Sequence, residues 1–361
     1  MNTIFDHLIG KKLMKLDRSP ASIQTDKQIS SDLYFIKDDV YQSIIKTNAF
    51  KRLEGITFLG AIGLTEKVGK KKDISRAEHS INVASLANKI SKARNYDQEL
   101  TKHLCVAGLL HDIGHFPLSH SVEGYLSKKL SVDHHALGNL IIDGEFNHLN
   151  DLHKILKHNF DISFIKSLLD KDVGKDLGGD IFSSQFNIDT IDGIYQSGLF
   201  VGHKLFNKDD LINEVFIKNC NDINYEILDK FWDSKNFIYN QFIHSSFGLF
   251  VDTIGELFFK KNKCHLDMND LLSVEKSWNK KFFFMKLLKN LDCSSLLSNY
   301  EGRNFYLPKE VNDNDERFYK KRKYIIKKDE TCLFNRYVYL KNTEKFNNFS
   351  DKIPTENLCL F

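Results

Sequence analysis

The sequence predicts a mainly α-helical protein, and three observations carry that expectation. Apolar residues recur at three-to-four spacing over long stretches, as on one face of a helix, instead of alternating as in strands. Ser75-Arg76-Ala77-Glu78 has the form of a capping box, a Ser followed three residues on by Glu, which marks a helix start. Only 4 prolines interrupt the 361 residues, and no Ser/Gly-rich tract breaks the pattern.

The elements follow in order. Residues 1–39 form a mixed N-terminal segment in which Tyr34–Ile36 reads as a short strand, being brief, apolar and β-prone. From Asp39 to Leu64 the pattern is helical through Ile44, Ile45, Phe50, Leu53, Ile56 and Leu59, until Gly60 and Gly63 break it. Gly69-Lys70-Lys71-Lys72-Asp73 reads as an exposed basic loop, either a solvated turn or a lip facing phosphate. The helix opened by Ser75 carries a stripe of His79, Ile81, Val83, Leu86, Ala87 and Ile90. The next, Leu100 to Leu110, is almost wholly apolar and is therefore expected to be buried.

Further helices carry Glu123 and begin at Asp133-His134-His135. Two more span 146–180, with a turn at Gly178-Gly179, and Phe231 to Phe259 reads as one long helical region or two. An aromatic stripe of this kind is more often core than a base-stacking platform. Phe305–Leu307 and Tyr337–Leu340 give strand signals that, with Tyr34–Ile36, could pair into a minor sheet.

Composition narrows the function. Lys+Arg 51 against Asp+Glu 48 gives a formal charge of +3, so overall charge does not argue for a nucleic-acid binder. The strongest local basic run is Arg317 to Lys328. It reads either as a solvated strand or helix face or as a surface for the phosphates of a nucleotide or nucleic acid. The six cysteines are scattered without a CxxC pair, which argues against a zinc ribbon and for reduced, buried thiols. Charges interrupt the apolar residues of the N-terminus, unlike a secretory signal, and no run approaches the ~18 apolar residues of a membrane span. The expectation is a soluble cytoplasmic protein with no membrane partner.

The chemistry centres on Leu109-Leu110-His111-Asp112-Ile113-Gly114-His115. A His-Asp pair at the inner end of a buried helix is costly to desolvate, and a divalent metal compensates that cost with one nitrogen and one oxygen ligand. Two residues cannot close a coordination shell. His79 lies in the first turn of the preceding helix. Asp189 and Asp192, three apart, can share a helix face, and one of them is the obvious fourth ligand. Five histidines between His111 and His135 add titratable groups suited to acid–base chemistry.

Arg52-Leu53, Arg76-x-Glu78-His79-Ser80 and Leu110-His111-Asp112-Ile113-Gly114-His115-x-Pro117-x-Ser119-His120 resemble the HD-domain phosphohydrolases, most closely the dNTP triphosphohydrolase branch. The resemblance runs from about Ile45 to Gly202 and thins beyond. It implies an HD-domain helical bundle over 40–205 and a mostly helical C-terminal region, 206–361, packed on it with a minor β element. It implies one divalent metal ion, Mn, Mg or Fe in first place and Co, Ni or Zn in other relatives, held by His79, His111, Asp112 and Asp189. His120 with Glu123 corresponds to a His polarised by a carboxylate beside the attacked phosphorus, and His115 and His135 join them as catalytic candidates. Arg76 corresponds to an arginine that touches phosphates. The Tyr239–His244 segment is similar in outline to a phosphate-contacting helix. Arg76, Thr190, Tyr195 and His244 are thus the candidate substrate contacts.

The departures fall on substrate recognition and leave the metal donors intact. The Lys that follows the metal Asp in relatives is Thr190, the Tyr of their D-x-x-D-Y element is Gly193, and their sugar-reading Asp is Ser197. The acidic residue that relatives use for an activating nucleotide aligns with Lys46, so their nucleotide-driven tetramer switch is not implied. The resemblance implies a homo-oligomer acting on a nucleotide, releasing a deoxynucleoside and triphosphate. A phosphodiesterase or nuclease, and a non-catalytic nucleotide sensor, are the competing readings.

Overall fold

The structure, a computed structural model, describes residues 37–65, 74–218, 223–245, 266–281 and 320–343, with isolated positions between 248 and 259. The expected strands at 34–36 and 305–307, the basic loop at 69–73 and residues 317–319 lie outside the described residues.

The helical stretch predicted after Asp39 breaks earlier than its glycines. Helix α1 (Asp39–Ile45) stops at Lys46, and Thr47 caps α2 (Asn48–Arg52), its Oγ1 accepting the Phe50 N–H at 3.2 Å. A threonine hydroxyl satisfies an orphan donor at a helix start better than it serves a helix interior, so the chain restarts there.

Helices α3 (Arg76–Ala93) and α4 (Gln98–Leu110) form the centre. The predicted capping box is formed in both directions: Ser75 Oγ accepts the Glu78 N–H, and the Glu78 carboxylate accepts the Ser75 N–H. Asp97 caps α4, accepting the Leu100 N–H at 2.7 Å. Small residues let the two helices approach closely; a Cβ on Gly108 would sit 2.8 Å from the Ala84 Cα. From His103 to Leu110 every residue of α4 is buried, as its unbroken apolar run predicted.

Around this pair lie α5 (His120–Leu130), α6 (His134–Ile142), α7 (Asn150–Asn159), α8 (Ile162–Leu169), α9 (Asp180–Ser183) and α10 (Ile188–Phe200). α8 packs on α4, α10 on α3, and α7 on both α2 and α6. Next come α11 (Lys208–Ile212) and α12 (Tyr225–Phe237), whose coil widens into a π-helical turn at Ile238–Ile243. α13 (Met268–Leu271) and α14 (Glu275–Lys281) follow.

The predicted strand at Tyr337–Leu340 belongs to β2 (Tyr337–Thr343), paired antiparallel with β1 (Lys320–Ile326), and the short α15 (Leu333–Arg336) lies between them in sequence. The basic run is therefore the partner strand. Asp229 of α12 tethers the hairpin, accepting from Arg336 Nη2 at 2.6 Å and from the Tyr337 hydroxyl at 2.7 Å. No helix among the described residues is long and apolar enough to cross a membrane. Cys105 is a buried free thiol pushed up to about 12 by burial, an inert core residue as expected.

Arg52 shows how the shell holds the centre. Its guanidinium is buried and donates to the carbonyls of Ile113 and His115, so α2 grips the turn that follows α4. Burial pulls its pKa down to about 10, which leaves the charge in place at neutral pH. Arg52→Ala strands two buried carbonyls and is expected to destabilise the protein by about 3–5 kcal/mol in urea unfolding. Arg52→Lys, with a single point of donation, is expected to recover only part of this.

Candidate metal centre and active site

Three helices bring four candidate donors together, with ligand atoms of His79, His111 and Asp189 within 4.8 Å of one another and Asp112 beside the two histidines. α3 supplies His79 from its first turn, the end of α4 supplies His111 and Asp112, and α10 supplies Asp189 from its first turn. Nε2 of His79 lies 3.0 Å from Asp189 Oδ1, 3.3 Å from His111 Nε2 and 3.9 Å from Asp112 Oδ2. Nε2 of His111 lies 3.5 Å from Asp112 Oδ1 and 3.7 Å from Asp189 Oδ1.

The outer nitrogens set the tautomers. His79 Nδ1 lies 2.9 Å from Asp192 Oδ2, and His111 Nδ1 lies 2.8 Å from the Gly108 carbonyl. A carboxylate and a carbonyl only accept, so both Nδ1 atoms carry hydrogen and both Nε2 atoms face inward. Asp192 is fully buried and is balanced by Lys208 Nζ at 2.8 Å. Two inward imidazoles and two carboxylates, with outer partners orienting the rings, are what a divalent cation requires. Burial opposes charge on His79, but hydrogen bonds to Asp189 and Asp192 and the nearby Asp112 raise it to about 9. Burial likewise opposes the charge on Asp112, and His111 and Arg76 overcome it, holding the carboxyl well below its ordinary range.

Beside this centre lies a second cluster. His115, 1% exposed, donates from Nε2 to Asp112 Oδ1 at 3.2 Å and stacks on His134 at 4.1 Å between centroids. Burial and the Arg76 charge hold its pKa well below the ordinary value, so it is neutral. Glu123 accepts from His120 Nδ1 at 2.8 Å and from His134 Nδ1. Burial would raise Glu123, but these two imidazoles outweigh it and lower it, so it stays ionised.

Of the adjacent pair in α6, it is therefore His134 that reaches Glu123. His135 is exposed at the rim of the cavity, its ring 4.0 Å from that of His134. Neighbouring positions on a helix point about 100° apart, so only one can face the cluster.

Both clusters open into a cavity of about 370 Å³. Arg76 and Thr190 line it, along with Gly193 and Ser197. Arg76 is buried and heavily engaged, with Nη1 on Asp112 Oδ2 at 2.7 Å, Nη2 on the Phe58 carbonyl and Nε on Ser119 Oγ. Two predicted contacts are absent from the lining. Tyr195 lies instead beneath Lys208 Nζ at 4.5 Å and edge-on to Phe206, on another face of α10. His244 packs against Tyr239, and it is Tyr239 that reaches the cavity.

Sequence reasoning missed His134 and Lys208, and within the Tyr239–His244 segment it chose His244 over Tyr239. The signal for the first is its adjacency to His135, because either histidine of the pair can face the cluster, depending on the register of α6. Lys208 and Tyr239 lie beyond the helices that carry the donors, and spacing gives no signal for them. The basic strand also reaches this neighbourhood, since Arg322 lies over the Tyr239 ring at 4.4 Å.

Comparison with known proteins agrees with this geometry. Residues 76–173 match the family model described as "HD domain". An uncharacterized protein of Methanocaldococcus jannaschii is 33% identical over 178 residues, covering 48% of this chain and 33% of the relative. A deoxyguanosinetriphosphate triphosphohydrolase-like protein of Sinorhizobium medicae is 32% identical over 132 residues, covering 32% of this chain and 30% of the relative. A deoxynucleoside triphosphate triphosphohydrolase of Danio rerio is 35% identical over 137 residues, covering 34% and 22%. The chain thus spans less than half the length of these curated relatives. The crystal structure of a hypothetical protein from Aquifex aeolicus shares the fold, with a TM-score of 0.55 and 21% identity over 72% of this chain and 71% of that one. The matched segment begins at Arg76 and takes in His79, His111, Asp112 and the His120–Glu123–His134 cluster, so residues 76–173 of this chain are an HD domain.

Proposed function

We propose that the protein hydrolyses deoxynucleoside triphosphates to a deoxynucleoside and triphosphate, using one divalent cation held by His79, His111, Asp112 and Asp189. The observation that carries this reading is the clustering of those donors beside His120–Glu123, with His111, Asp112, Asp189 and His120 lining one cavity. One relative named as a triphosphohydrolase and one named as triphosphohydrolase-like support the substrate class. When bound, a divalent cation supplies positive charge at the phosphate and makes a water more acidic.

The chain's own residues do the rest. His120 holds its Nδ1 hydrogen on Glu123 and presents Nε2 to the substrate. From Nε2 it gives a proton to the leaving 5′ oxygen as the P–O bond to the 5′ oxygen breaks, while the oxygen of a water bonds to phosphorus and releases its proton to solvent. Ionised Glu123 stabilises the imidazolium that acts as donor. Arg76 fixes Asp112 and lends its charge to the cavity floor. Lys171, also in the lining, supplies the phosphate cation that Thr190 does not. Two histidines and two carboxylates suit Mn, Fe or Mg. We assign the 206–361 region to the same enzyme, with Tyr239 bringing it to the substrate.

The test is chromatography of products after incubating Mn-loaded protein with each dNTP, each NTP and short single-stranded oligonucleotides, with an Asp189→Ala variant alongside. Deoxynucleoside plus triphosphate, absent in the variant, is the expected result. Shortened oligonucleotides or a monophosphate would make the protein a phosphodiesterase. A protein that takes up no metal and turns over none of these would favour a non-catalytic nucleotide sensor.

A further inference from the structure

His120 opens α5 after an unusual corner. Leu118 and Ser119, neither of them glycine, have φ of 67° and 45°. Left-handed backbone at such residues costs on the order of 1–3 kcal/mol each and persists only where the surroundings over-determine it. The loop Thr57–Ala61 supplies one side of that constraint. Ser121 Oγ accepts the Ala61 N–H at 3.0 Å, and Ser119 Oγ lies 3.4 Å from the Thr57 carbonyl. Gly60, at φ 59°, is pressed so close that a Cβ would sit 2.5 Å from the Leu118 oxygen.

The same loop touches the metal side. The Phe58 ring lies 4.4 Å from that of His79 and 5.0 Å from the Arg76 guanidinium, and its carbonyl accepts from Arg76. Loop and corner thus connect the two halves of the site.

A single carboxylate ties them together from behind. Glu275, at the start of α14 and 8% exposed, accepts from the Thr57 N–H at 3.0 Å and from Thr57 Oγ1 at 2.7 Å, and the Leu118 backbone N–H favours its charge. The approach is tight, since a Cβ on Gly55 would meet the Val274 side chain at 2.8 Å. A buried carboxylate bonded to one segment and facing the backbone N–H of the other, brought from a distant part of the chain, fixes their separation.

We infer that Glu275 is a positioning residue: it clamps the Thr57–Ala61 loop to the Leu118–Ser119 corner and so sets where His120 stands relative to the metal donors. The inference rests on the hydrolytic reading for its kinetic consequence, but the clamp has a readout of its own.

Glu275→Ala in the full-length, Mn-loaded protein is expected to lower kcat about 10–100-fold with KM within about threefold, since a displacement near 1 Å is enough for that loss. Metal content is expected to match wild type. Glu275→Gln keeps one acceptor oxygen for Thr57 and is expected to fall between the two. Hydrogen exchange is expected to quicken together in 57–61 and 118–121 while α3 and α4 keep their protection.

Wild-type kcat in Glu275→Ala, or a parallel loss of metal and of α3/α4 protection in both variants, would overturn the inference. If the wild type turns over no substrate, the hydrolytic reading fails by itself. The exchange result then decides the clamp: unchanged protection of the two segments overturns it.

Discussion

Asp189→Ala is expected to abolish metal binding and leave the fold standing, whereas Asp112→Ala is expected to lose both. The two carboxylates contribute to the same centre but sit in different surroundings. Asp189 opens to the cavity with its side chain 55% exposed, and its partners are the two imidazoles. Removing it from metal-free protein is expected to change stability by no more than about 1 kcal/mol. Asp112 is buried and is the counter-charge of Arg76, itself 3% exposed. Removing it leaves a buried guanidinium uncompensated, which costs about 3–5 kcal/mol.

The measurements are metal per chain by mass spectrometry and thermal unfolding with and without Mn. An ion bound only by the native state raises Tm as its concentration rises above Kd. Wild type is expected to show that rise, and Asp189→Ala to start from a similar metal-free Tm and show none. Losing the cation removes several kcal/mol of transition-state stabilisation, so kcat/KM is expected to fall about 1000-fold or more. Asp189→Ala that holds metal at wild-type stoichiometry would remove Asp189 from the centre.

Much of this site was legible because its chemistry sits on strongly patterned elements. The Ser75–Glu78 capping box fixed where α3 begins, and so placed His79 in its first turn. The apolar run ending at Leu110 fixed α4 as buried, which made His111-Asp112 an anomaly that a cation resolves. What failed did so for identifiable reasons. His134 and His135 both stand at a helix start, before the apolar stripe of α6 has established which side faces inward. Tyr195 follows Asp192 by three residues and so shares its side of α10, which turns toward Lys208 and away from the cavity. The break at Thr47 is a capping choice, and nothing in hydrophobic periodicity records it. Lys208, Tyr239 and Glu275 act across folds of the chain, and such contacts leave no trace in local spacing.

Gly114→Ala is expected to be among the most damaging single-methyl changes in the protein. The residue reads in sequence as one letter of the His111–His115 motif, but its role is steric. A Cβ there would lie 1.9 Å from the His134 carbonyl oxygen, 2.3 Å from Gly138 N and 2.8 Å from Gly138 Cα. All three are backbone atoms, so no rotamer change relieves the clash; α6 itself must move. Overpacking of this kind costs about 3 kcal/mol or more when the obstacle is rigid. The displaced end of α6 carries His134, so its contacts with Glu123 and His115 are expected to break and kcat to fall with stability.

Gly138, on the other side of the same contact, supplies the control. A Cβ on it would meet Gly114 N and Ile113 Cγ2 at 3.5 Å, which is ordinary contact. It lies inside a helix, where Ala is preferred over Gly by about 0.5–1 kcal/mol. Gly138→Ala is therefore expected to be neutral or stabilising in urea unfolding and to retain activity. Equal damage from the two substitutions would mean that the α6 contact is tighter overall than a one-sided clash. Harmless Gly114→Ala would mean that the turn after His111-Asp112 does not bear on α6, and that His134 is held in place by Glu123 alone.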